Sequence, residues 1–86
     1  MIQIISEPVS VTTSFDANKR ATRPISLQWG NQSYEVTQLG LRHSYKEGNV
    51  RHHIFSVVSN NLFFRLNLNT DTLHWTLEEV SDGLPD

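Results

Sequence analysis

Apolar and polar positions alternate with a period of two along most of the chain, the spacing of strands with one face buried. Val9, Val11, Thr13 and Phe15 alternate with Ser10, Thr12 and Ser14, and Ile25, Leu27 and Trp29 alternate with Ser26 and Gln28. Between them, residues 16–23 have no apolar period and read as a mobile loop. Gly30-Asn31 follows as a two-residue hairpin turn into a long strand over 32–45, with Gly40 the natural place for a bulge. Lys46-Glu47-Gly48-Asn49 reads as a four-residue turn into 50–59. Asn60-Asn61 is a tight turn into 62–68, and residues 69–72 turn the chain into 73–80.

These turns imply a register, and directly opposite residues share a face. Leu27 falls opposite Tyr34, Phe55 opposite Gly40, Phe64 opposite Val57, and Trp75 opposite Leu66. One face thereby collects most of the large apolar side chains, from Ile25 and Leu27 to Phe55, Phe64, Leu73 and Trp75. The expected fold class is all-β: an antiparallel meander of about six strands curled into a small SH3-like or partly open barrel. One β domain is expected over 1–80, with a flexible acidic tail over 81–86.

The second face is mostly polar, yet it also carries Leu39, Leu41, Ile54, Val58 and Phe63. Two readings stand. The N-terminal strand or a bulge at Gly40 folds these residues into a second small core, or they form an exposed patch that binds a protein partner or a second copy of the chain.

Composition narrows the chemistry. There is no cysteine among the 86 residues, so no disulfide, thiolate nucleophile or Cys-type zinc site is available, and a reducing, cytoplasmic setting is expected. No stretch approaches the roughly 18 apolar residues of a membrane span. The run at residues 1–5 is too short, and lacks the basic flank, for a signal peptide. A net charge of −2 with a pI near 6.0 offers no general field for nucleic acid. Catalysis is not expected: no nucleophile elbow and no phosphate-cradling glycine loop occur. No cofactor is expected either.

In the register above, His43 stands opposite His52 and His74 pairs with Asn67, which makes His43, His52 and His74 a weak candidate for a metal site. The His43/His52 couple is expected to titrate as a mutually repelling pair near pH 6. Asn67-Leu68-Asn69-Thr70-Asp71 superficially resembles the start of a calcium loop. Thr72 stands where that loop requires glycine, so the segment reads as a turn.

Glu7-Pro8-Val9, then Arg23-Pro24-Ile25, then Trp29-x-x-x-x-Tyr34-x-Val36, Phe55-x-Val57, Phe64-x-Leu66 and Trp75-x-Leu77 together resemble a small uncharacterised bacterial all-β domain family. The resemblance spans residues 7–77. Members of that family occur beside or fused to proteins like Y-family translesion polymerases. The resemblance therefore implies an accessory role near nucleic acid, for which Arg42, Arg51 and Arg65 are the candidate contacts. It supplies no catalytic or ligand residues. This chain carries His and Asn where the family has an aromatic, arginine-rich third hairpin, and it lacks the glycine before Trp75. The leading expectation is a non-enzymatic interaction module for a protein partner or itself, with a nucleic-acid accessory domain as the alternative.

Overall fold

In the computed structural model, which describes residues 1–83, the alternation builds eight strands and no helix. They are β1 Ile2–Pro8, β2 Ser10–Asp16, β3 Ala21–Trp29, β4 Gln32–Glu35, β5 Gln38–Glu47, β6 Val50–Ser59, β7 Leu62–Asn69 and β8 His74–Ser81. One sheet has the order β1-β8-β7-β6-β5 and the other β2-β3-β4, every pairing antiparallel. The fold is all-β as expected, partly open, and its sheets do not close into a barrel. Since there is no helix, none is long and apolar enough to cross a membrane among the described residues.

Eight strands replace the expected six for two reasons. The run at residues 1–5, weighed only as a signal peptide and not as a strand, continues into β1, which pairs with β8. The long strand over 32–45 bends at Val36-Thr37 and changes sheets. Val36 N–H still donates to Ile25 O (3.0 Å), while Thr37 N–H donates to Val58 O (2.8 Å). Val9 forms the matching corner between β1 and β2, its N–H donating to Trp75 O at 3.2 Å. The expected loop over 16–23 shrinks to a turn at 17–20. Asp16 Oδ1 holds it by accepting from the N–H groups of Asn18 (2.9 Å) and Lys19 (3.3 Å), and β3 starts at Ala21.

Two hairpins differ from the expected register. Gly48-Asn49 alone makes the turn after β5, with Gly48 at φ +61°, so Glu47 pairs Val50 and Lys46 pairs Arg51. Phe55 then faces Arg42 rather than Gly40. The shift between Leu39 and Arg42 is the bulge expected at Gly40, and it sets Leu39 opposite Val57 on the core side. In the last hairpin Trp75 pairs Leu68 and Leu77 pairs Leu66, two residues from expectation but on the same face. Asn60 and Asn61, at φ 48° and 68°, form the tight turn as expected, and Val57 pairs Phe64.

Leu27 of the three-stranded sheet packs into Phe55, Val57, Phe64, Leu66, Leu77 and Val80 of the other. The Tyr34 ring leans on Phe64 (4.9 Å between centroids) and Trp75 on Phe55 (5.5 Å). Ile25 (39% exposed) and Leu73 (70%, in the turn before β8) stay out of this core. Val80 joins it, since the β7–β8 register shifts between Arg65 and Leu66 and so sets Val80 opposite Phe64; β8 runs on to Ser81, the start of the expected tail, and residues 84–86 lie outside the described residues.

The two dipeptides that carried the family resemblance also have local roles. Glu7 Oε1 accepts from the Trp29 indole N–H at 3.2 Å, and Pro8 precedes the Val9 corner. Pro24 is buried at the bulge where the β2–β3 register shifts, a position that tolerates the missing N–H.

Candidate functional site

The outer face of the five-stranded sheet divides the five candidate apolar residues. Val58 and Phe63 are direct cross-strand partners, and Ser81 and Gln38 flank them on the neighbouring strands. Together with Ile2 and Gly40 they line a groove of about 420 Å³, rimmed by Arg65 and Glu79. Phe63 is 47% exposed. The backbone fixes its ring from behind: a Cβ on Gly83, at φ +81°, would stand 2.8 Å from the Phe63 ring. Gly40, which also lines the groove, approaches Ser56 so closely that a Cβ there would meet Ser56 O at 3.1 Å.

The other three candidates do not join. Ile54 is fully buried and so offers no exposed surface. Leu39 turns to the core side through the bulge and lines a small cleft with Pro24, Ile25 and Val36. Leu41, 80% exposed, sits in the bulge away from the groove lining. Sequence reasoning missed Ile2 and its exposed neighbour Ile4; their period-two spacing was the available signal.

The histidines are not brought together. Tyr45, not His43, stands opposite His52, stacked on it at 4.9 Å; His43 faces Ile54; His74 pairs Asn69 and is exposed. The expected His43/His52 couple is therefore corrected, because the two-residue turn moves β5 along β6. Among the described residues no cluster of three metal-ligating side chains forms.

His52 instead belongs to a polar network around the buried Asn67. Asn67 Nδ2–H donates to Glu78 Oε2 (2.7 Å) and Tyr45 Oη (3.2 Å), which fixes the amide orientation because an ionised carboxylate only accepts. Its Oδ1 then accepts from His52 Nδ1–H at 2.9 Å, which sets the tautomer and leaves Nε2 to face Glu47 at 3.8 Å. Glu78 also holds Arg65, with Nε 3.0 Å from Oε1.

The three candidate arginines separate accordingly. Arg65 lies on the outer face, engaged by Glu78. Arg42 and Arg51 lie on the core side of the β5–β6 hairpin, beyond the cover of the short β4. The Arg42 guanidinium sits 5.2 Å over the Phe55 ring, and Arg51 Nη1–H donates to Ser44 Oγ at 3.2 Å. His53 lies between them. Burial first, then the charges of Arg42 and Arg51, hold its imidazole below the ordinary value of 6.5.

No family model, no curated protein and no solved structure matches this chain.

Proposed function

We propose that this protein is a non-enzymatic interaction module that binds a protein partner through the groove on the outer face of its five-stranded sheet. One observation carries the reading: Phe63 stands half-exposed beside Val58 and Ile2, over a depression that Gly40 also lines. An aromatic wall set in place by backbone loses little rotamer freedom on binding, which favours an apolar anchor residue from a partner. Arg65, Glu79 and Gln38 supply the polar rim that orients such a segment. The lack of cysteine fits work in a reducing compartment such as the cytoplasm.

Selection from a peptide library displayed on phage tests the reading. Sequences with an aromatic or branched aliphatic anchor should be enriched, and their synthetic versions should bind about tenfold more weakly to Phe63→Ser, the loss of roughly one buried apolar contact. Circular dichroism checks that the variant is folded. No enrichment, or equal affinity for the folded variant, would remove the groove as the binding surface.

A further inference from the structure

We infer a second binding site, separate from the groove: the free edge of β5 accepts an extended acidic segment of a partner protein as an added strand. β5 is paired on one side only, by β6, and all ten of its residues are exposed. On the other side the nearest candidate neighbour is β3, but the β3–β4 ladder ends at Ser26–Glu35, and β3 then bulges at Ile25-Pro24. A bulge bends and twists its strand, and here β3 and β5 do not pair. Among the described residues the one hydrogen bond across this gap is long, from Arg42 Nη1–H to Thr22 O at 3.5 Å. The edge therefore offers a row of backbone donors and acceptors, the template that strand addition uses.

Charge names the occupant. Arg42, Ser44 and Lys46 alternate on the core side of β5, and Lys46 stands directly opposite Arg51. Like charges facing each other across a ladder are destabilising. No ion pair among the described residues involves Arg42, Lys46 or Arg51. A lysine on an edge strand has an ordinary use, blunting unwanted pairing. That explains Lys46 but not Arg51, which lies on the interior strand β6. An incoming strand with carboxylates at alternate positions, about 6.6 Å apart, would set one opposite each of Arg42, Ser44 and Lys46, with the Arg51 guanidinium reaching to Ser44 at the middle position, and supply the missing counter-charge.

Two other occupants fit less well. A second copy of β5, paired about a two-fold axis at Ser44 that continues the sheet, would set Arg42 against Lys46. A nucleic acid strand would neutralise the cations, but its phosphates only accept hydrogen bonds, so they leave the edge carbonyls unmatched.

The test uses a capped synthetic peptide of alternating glutamate and valine, the same peptide with a central proline, and oligodeoxythymidine. The acidic peptide should bind, slow amide exchange in β5, and lose about tenfold affinity with Lys46→Glu. The proline version should bind much more weakly, because it lacks a ladder N–H. Phe63→Ser should leave peptide affinity unchanged, which separates this site from the groove. Absence of peptide binding, binding without slowed β5 exchange, or equal affinity for Lys46→Glu would each overturn the inference. So would oligodeoxythymidine binding in place of the peptide.

Discussion

His53 shows how one side chain links burial, charge and stability. Its pKa is held down in the folded state by burial and by Arg42 and Arg51, so the folded protein resists a proton that the unfolded chain accepts. The unfolded state then binds more protons, and stability falls as pH drops below about 6.5. Urea denaturation at pH 7 and pH 5 should show this loss, and His53→Asn should make the slope shallower. An unchanged slope would mean that burial and those arginines together do not lower the His53 pKa on folding. Trp75 gives a second test at this scale. Its ring tilts against Phe55, whereas His74 beside it is exposed. Trp75→Ala should cost about 3 kcal/mol and His74→Ala less than about 1 kcal/mol, measured by the same denaturation. The reverse order would place β8 in the wrong register.

Among the elements, hairpins closed by unambiguous turns were legible and the others were not. Asn60-Asn61 and Gly30-Asn31 have one obvious reading, and the pairs Val57–Phe64 and Leu27–Tyr34 follow from it. Lys46-Glu47-Gly48-Asn49 allows a two- or a four-residue turn, since Gly48 serves both. The core faces of β6 and β7 do not depend on the choice. The polar register of β5 does, and so the histidine pair dissolved while the apolar core survived. The groove was half legible: Val58 and Phe63 stood out as apolar residues on a wet face. Ile2 did not, because only pairing with β8 gives a short, mostly apolar run near a terminus a place in a sheet. The acidic-segment site was hidden for a related reason. Arg51 and Lys46 are five residues apart in sequence, and only the tighter turn sets them face to face.

At the scale of the molecule, the strand order sets how the chain must assemble. β5 to β8 join through successive hairpins, contacts that cost little chain entropy to form. β1 pairs β8, so Ile2 meets Ser81 from the far end of the chain. Long-range pairing of this kind is slow, because the closure cost comes before the contacts that repay it. The β5–β8 hairpins should therefore organise the folding transition state, with β1 docking afterwards. Ile5, partly buried against the core from β1, reports on that last step. In stopped-flow experiments Ile5→Val should speed unfolding and leave the refolding rate nearly unchanged, whereas Leu66→Val should slow refolding. The native state of this small protein would then be lost first at β1. Departure of that strand uncovers the free edge of β8 and the Phe64–Val80 side of the core, which makes β1 the latch on its kinetic lifetime.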